Sequence, residues 1–229
     1  MKKLKFPVLM AILAAAAFGL RWGVYATAVD EKNLIIAGHP IVVVLWVLTA
    51  AALGLAAFAA WKTKEESLSF DAFAPAFLGH GLLGAALAVT VLLNPLPMPG
   101  ILGQLWKILA LVSAPCLLFA GFERMRGKMP FFGLYALPCL FFAVHVVAHY
   151  QSWCANPQFT DYAFGLLASV ALALHCYQLS AFSAEMGEKK MLVLTGLAAL
   201  FLCVGEMANG LYPYLYLGGA VFCLTNPSE

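Results

Sequence analysis

The feature that most restricts this chain is a succession of apolar runs, each about 20 residues long, separated by short charged clusters. They cover residues 6–25, 41–60, 72–93, 101–122, 131–149 and 162–182, followed by a last stretch from 191 to 224. About 20 residues of helix, rising 1.5 Å each, cross the ~30 Å hydrocarbon core of a bilayer. Barrel strands would be runs of about ten residues with alternating character, so these runs specify helices. The last stretch is too long for one ordinary crossing and is interrupted by Glu206, Asn209, Gly210 and Pro213. It divides into a seventh and an eighth helix, with a seventh helix followed by a re-entrant segment as the alternative. The expected fold is an all-α, polytopic membrane bundle of eight transmembrane helices, forming one integral membrane domain over residues 1–229 and no soluble domain.

Composition agrees. The chain is 63% hydrophobic and 10% charged, with a mean hydropathy of +0.90. A soluble domain carries about 25% charge, so there is too little polar surface here to coat a water-soluble globule. A net charge of +2 and the lack of a basic stripe interleaved with aromatics argue against nucleic-acid binding. No connection carries a phosphate-binding glycine loop, which disfavours an enzyme acting on a soluble nucleotide.

Orientation follows from the connections. With the N-terminus in the cytoplasm, Lys2, Lys3, Lys5, Lys62, Lys64, Arg124, Arg126, Lys128, Lys189 and Lys190 fall on the cytoplasmic side, and Lys32 falls outside. This positive-inside bias predicts a multi-pass protein of the cell membrane, and eight spans return the C-terminus to the cytoplasm. The first run also resembles a secretory signal, with basic residues before it and Ala26-Thr27-Ala28 after it. Arg21 and Trp22 stand between the apolar stretch and that site, so an uncleaved first span is expected.

Cys116, Cys139, Cys176, Cys203 and Cys223 fall inside spans and Cys154 in a connection, with no CxxC pair. They read as buried free thiols rather than a disulfide framework. No internal repeat is convincing.

Charged groups at membrane depth each ask for a partner or a role. Three qualify: Arg21, Lys107 and Glu206. Together with His145 and His149 they fall in the outer half of the bilayer; Lys107 is about 9 Å below the start of its span. Small residues mark helix–helix contacts in membranes. Lys107 shares a stripe with Gly103, Ala110 and Ala114, and Arg21 shares one with Ala14, Ala17 and Tyr25, so both are expected to point into the bundle or its outer mouth. Snorkelling to the headgroups is the alternative. Glu206 would pair with Arg21 or Lys107, leaving a positive surplus that an anionic ligand, or Asp30, Glu31 or Asp161, would balance.

His145 and His149 stand at i and i+4 on one face, a spacing that can chelate a metal with Glu206, Cys154 or Asp161 as third ligand. Ordinary hydrogen bonding is the competing reading. His80 and His175 form a deeper pair at small-residue seams. They are candidates for haem ligation, quinone binding or a proton relay, or for an interhelical hydrogen bond. Pro75, Pro115 and Pro138 interrupt spans. Trp22, Tyr25, Trp106, Tyr150, Trp153 and Tyr162 read as an outer aromatic belt, and residues 150–154 as an interfacial connection.

The preferred functional expectation is an outward-facing pocket that binds or transports a small anionic or zwitterionic ligand, such as a carboxylate or lipid headgroup. Arg21, Lys107, His145, His149 and Glu206 would contact it. The alternatives are a redox or metal-dependent protein (a haem or quinone anchor subunit, or an intramembrane hydrolase) and an accessory subunit docking on a membrane partner. No cofactor is specified by the residues alone.

Overall fold

The computed structural model describes residues 5–30, 34–36, 38–64, 74–94, 98–155, 159–209 and 212–226, without the side chains of 5, 151–155, 159 and 160. The described chain is helical: α1 (Lys5–Thr27), α2 (Pro40–Lys62), α3 (Ala74–Leu93), α4 (Ile101–Met125), α5 (Gly133–Ala155), α6 (Phe159–Ser183), α7 (Lys189–Glu206) and α8 (Pro213–Leu224). A 3-10 turn over Met207–Asn209 follows α7. Apart from an isolated bridge between Val29 and Ile35, no β pairing occurs among the described residues. The described residues thus form an all-helical bundle in which seven helices are long and apolar enough to cross a membrane. α8 has 12 residues, about 18 Å of helix, well short of the ~30 Å core.

Neighbouring helices run antiparallel. Phe6 of α1 meets Phe58 of α2, Gly84 of α3 meets Ala114 of α4, and Ser180 of α6 donates to the Phe132 carbonyl that leads into α5. The odd-numbered long helices therefore begin at one face of the bundle. That face also holds Lys62, Lys64, Arg124, Arg126, Lys128, Lys189 and Lys190, and we call it the basic face. Lys32 and Glu31 lie outside the described residues.

α3, α4, α5, α6, α7 and α8 pack in a closed succession, each against the next and α8 against α3, while α1 and α2 cover the outside of α7. α7 touches α1, α2, α6 and α8 and is buried nearly all round, as a helix at the centre of a bundle must be. α1 buries the stripe Met10, Ala14, Ala17, Arg21, Val24, spaced by three and four residues, which lays its small side chains against α7. Backbones approach most closely where glycine removes the side chain. A Cβ on Gly218 would lie 2.7 Å from Ala86 Cβ and 3.1 Å from the Leu82 carbonyl, so α8 rests directly on α3. Gly219, on the adjacent face, admits Leu172 of α6 and Cys203 of α7.

Several boundaries differ from expectation. α5 continues to Ala155, so 150–154 is helix rather than a connection, and His149 lies about 9 Å before the helix end. α6 begins at Phe159, which moves Asp161 from a loop into the first turn. Pro75 stands in the first turn of α3, where its missing N–H costs nothing, while Pro115 and Pro138 are truly interior. The expected start of the third span, 72–73, lies outside the described residues, as do Gly210 and the side chains of Trp153 and Cys154. The other five cysteines are free.

Candidate functional site: a buried polar layer

α1, α6 and α7 meet at an ion pair far from the basic face. Arg21 Nη1 lies 2.8 Å from Glu206 Oε2, with both side chains 2% exposed. At that distance, with both groups buried and oppositely charged, the attraction is charge on charge. The guanidinium is held from its other side: Nη2 donates to the Asp161 carbonyl at 2.7 Å and to the Tyr25 hydroxyl at 3.3 Å. Its plane lies over Phe164, 4.6 Å from the ring centroid. Tyr25 donates in turn to Asp161 Oδ1 at 3.0 Å. Asn209, in the 3-10 turn, donates to Glu206 Oε1 at 3.1 Å and to the Asp161 carbonyl at 3.4 Å.

Glycine makes room for the carboxylate. A Cβ on Gly165 would lie 3.0 Å from Glu206 Oε1 and 3.3 Å from the Tyr216 hydroxyl. With no side chain there, the glutamate lies against α6, and Tyr216 of α8 shares the Gly165 carbonyl with Ser169.

A second cluster sits on α4, α5 and the start of α8. Trp106 Nε1–H donates to His145 Nδ1 at 3.0 Å. A neutral His145 therefore carries its proton on Nε2. His149 Nδ1 bonds the His145 carbonyl at 2.8 Å, and because a carbonyl only accepts, that nitrogen carries the proton. His149 Nε2 then accepts from the Tyr212 hydroxyl at 2.8 Å. Tyr212 is also one of two described non-glycine residues at positive φ (58°), a strained conformation for a bulky side chain. The His145 and His149 rings lie 4.1 Å apart, with Trp106 and Tyr212 packed around them.

The two clusters occupy one level. Counting along α5 and α6 from the Ser180–Phe132 contact puts His149 opposite Ala163, between Asp161 and Gly165. Tyr212 and Tyr216, one turn apart on α8, link the histidine side to the carboxylate side.

Of the five residues expected to converge, four lie in this layer and Lys107 does not. Lys107 is exposed on the outside of α4. The buried face of α4 runs through Gly103, Trp106, Leu109, Ala110, Ser113, Leu117 and Ala120 and is centred on Trp106. Gly103 and Ala110 form one edge of that arc, and Lys107 falls just beyond it. The small-residue stripe located the seam but not its width. Trp106, assigned to the interfacial belt, is fully buried, whereas Trp22 and Tyr150 are exposed as a belt requires. The expected positive surplus is also corrected: among the described residues the layer contains one cation, Arg21, with two carboxylates, Glu206 and Asp161. Asp30 instead accepts from the backbone N–H of Leu34. Tyr25 and Asn209 stand out in the sequence near span ends, whereas Tyr212 and Tyr216 do not, because their roles come from partners on distant helices.

The metal reading of His145 and His149 gains no third ligand, since no three His, Cys, Asp or Glu side chains gather among the described residues. His80 and His175 stand nearer the basic face, on either side of Phe222, with ring centroids 4.9 and 5.7 Å from it. His80 uses both nitrogens, Nδ1 to the Ala76 carbonyl at 2.6 Å and Nε2 to the Tyr135 hydroxyl at 2.8 Å. That leaves it no lone pair for an axial haem bond. It acts as an interhelical tie between α3 and α5.

Fold and site define a multi-pass α-helical membrane protein with a polar layer in its interior. Within that class, no family model, curated protein or solved structure matches the chain.

Proposed function

We infer that this polar layer is a recognition site for a small zwitterionic ligand, a carboxylate or lipid headgroup carrying both signs of charge. The observation that carries the reading is the fully buried Arg21–Glu206 pair beside the half-buried Asp161 and Tyr25. A buried ion pair contributes little net stability, because desolvation offsets most of its attraction; well-packed apolar residues commonly do as well or better. Its presence in a membrane interior is better explained by a need to hold both signs at one place. The anionic end of a ligand would exchange with Glu206 at Arg21. The cationic end would be taken by the two carboxylates, with His149 and Tyr212 bounding the site. Lys107 has no part in it. In a cell membrane with the basic face towards the cytoplasm, the layer would be reached from outside, and the N-terminus would be cytoplasmic.

The test uses purified protein in lipid nanodiscs, screened by thermal unfolding against free amino acids, phosphocholine and simple carboxylates. A ligand at about 100 times its Kd stabilises by about 2.7 kcal/mol, or roughly 5–10 °C for a chain of this size. Wild type should respond to a zwitterion and the Arg21→Gln/Glu206→Gln double variant should not. If no zwitterion shifts the wild type, or the double variant responds equally, the pair is a structural latch and the reading is wrong.

A further inference from the structure

We propose that His175, near the basic face, is the acceptor of a separate buried site for one hydroxyl group that the described residues do not supply. The reasoning starts from tautomers. His80 and His149 follow one pattern: Nδ1–H donates to the carbonyl four residues back, and Nε2 accepts from a tyrosine hydroxyl of another element, Tyr135 or Tyr212. His175 departs from the first half, because it turns from its own helix to the backbone and hydroxyl of α7. Its Nδ1 lies 3.4 Å from Thr195 Oγ1. The one proton of that hydroxyl is already directed at the Met191 carbonyl at 2.8 Å, with the Leu192 carbonyl at 3.3 Å, and the Leu192 backbone is also a hydrogen-bond partner of the imidazole. Thr195 therefore accepts, His175 Nδ1 carries the proton, and Nε2 is left as a bare lone pair.

The second half of the pattern is missing. His175 is 0% exposed, and its Nε2 has no hydrogen-bond partner among the described residues. An unmade bond of this kind costs about 1–3 kcal/mol, so buried polar atoms are nearly always satisfied. The surroundings also look arranged for the ring. A Cβ on Gly196 would lie 3.0 Å from His175 Cε1, so α7 has no side chain where the imidazole rests. Phe222 meets the ring edge-on and separates it from His80, whose own acceptor is already filled. A metal is not indicated, because no three candidate ligands gather here. What fits a single neutral acceptor in an apolar setting is a single O–H donor. Two sources share that chemistry: an ordered water, and the hydroxyl of a lipid-soluble molecule such as a quinol.

The experiment is nitrogen NMR of the full chain labelled with [15N]histidine, in bilayers, with His175→Phe used to assign the signal. The expected result is a neutral His175 with its proton on Nδ1 and an Nε2 resonance shifted upfield, as an acceptor that is hydrogen-bonded. A proton on Nε2, an imidazolium, or an Nε2 resonance at the position of an unbonded nitrogen would each overturn the proposal. If His175→Phe does not fold, Thr195→Val serves instead. It removes the Thr195 hydroxyl and leaves the Leu192 backbone partner, so the Nδ1–H signal of His175 should shift, which assigns it, while the proton stays on Nδ1; a proton on Nε2 refutes the derivation. The source is then read from the wild type. A stoichiometric hydroxyl compound in organic extracts, lost in the variant, identifies a lipid-soluble ligand. Magnetisation transfer from water to His175 with no such compound identifies water. Neither one alongside a bonded Nε2 would mean a donor from the chain itself and would refute an external ligand.

Discussion

Gly165→Ala tests whether the carboxylate of Glu206 is as tightly confined as the geometry requires. The new methyl carbon would lie 3.0 Å from Glu206 Oε1, 3.2 Å from its Cδ and 3.3 Å from the Tyr216 hydroxyl. All three are tighter than ordinary contact, so the carboxylate must retreat by a few tenths of an ångström. It has nowhere free to go: Oε2 is 2.8 Å from Arg21, and Oε1 already accepts from Asn209 at 3.1 Å. Overpacking of this kind costs about 1–3 kcal/mol. Replacing a helical glycine by alanine returns about 0.5–1 kcal/mol, leaving a net loss of roughly 1–2 kcal/mol. Gly54 supplies the control, because a Cβ there meets nothing within 4 Å. Gly54→Ala should stabilise by about 0.5–1 kcal/mol. Unfolding of the two variants in mixed detergent–SDS micelles, followed by circular dichroism, measures both. In a Glu206→Ala background the penalty of Gly165→Ala should vanish, since the obstructing group is gone. If Gly165→Ala is as stabilising as Gly54→Ala, or keeps its cost without Glu206, the account of the ion pair's confinement fails.

Two further outcomes follow from the hydrogen bonding and the exposure pattern. Tyr212→Phe and Tyr135→Phe each keep a buried ring but strip the donor from a histidine acceptor, so each should lower stability by about 1–3 kcal/mol in the same micelle assay. Loss of less than about 0.5 kcal/mol in both would show that these bonds are dispensable. Lys107→Ala, on the exposed side of α4, should change stability by less than about 0.5 kcal/mol and leave any ligand response intact. A lost response would return Lys107 to the site.

Helix number and position were largely readable because a bilayer imposes a length on every crossing, and run length survives without any knowledge of neighbours. The division of the last apolar stretch was readable too: Glu206, Asn209 and Pro213 mark the end of α7, the 3-10 turn and the start of α8. Arg21 was placed correctly because α1 buries one narrow stripe, Met10, Ala14, Ala17, Arg21 and Val24. Lys107 was misplaced because α4 lies between α3 and α5 and buries a wide arc, whose centre is set by the bulky Trp106 rather than by the small residues at its edge. Which residue closes on which was not readable. The pairing of Arg21 with Glu206 rather than with Asp30, and of His149 with Tyr212, depends on helices up to 185 positions apart.

The placement of the polar layer on α7 has a mechanical consequence. α7 is the central helix, yet its carboxylate is held by α1 from outside the closed succession and by α6 and the 3-10 turn from within it. α8, too short to span alone, joins the same level through Tyr212 and Tyr216 and rests on α3 along Gly218. A ligand that drew Glu206 away from Arg21 would therefore loosen α1 from α7 and, through Gly165 and Tyr216, α7 from α8. Helix contacts in lipid lack a hydrophobic driving force and depend on close packing and polar ties, so loss of one tie shifts the balance between whole helices. The Arg21–Glu206 pair is thus the point at this end of the bundle where a charged ligand would act on the most helices at once. Binding and helix rearrangement at this site should accordingly be inseparable, with the positive-φ Tyr212 as the strained point from which α8 would move.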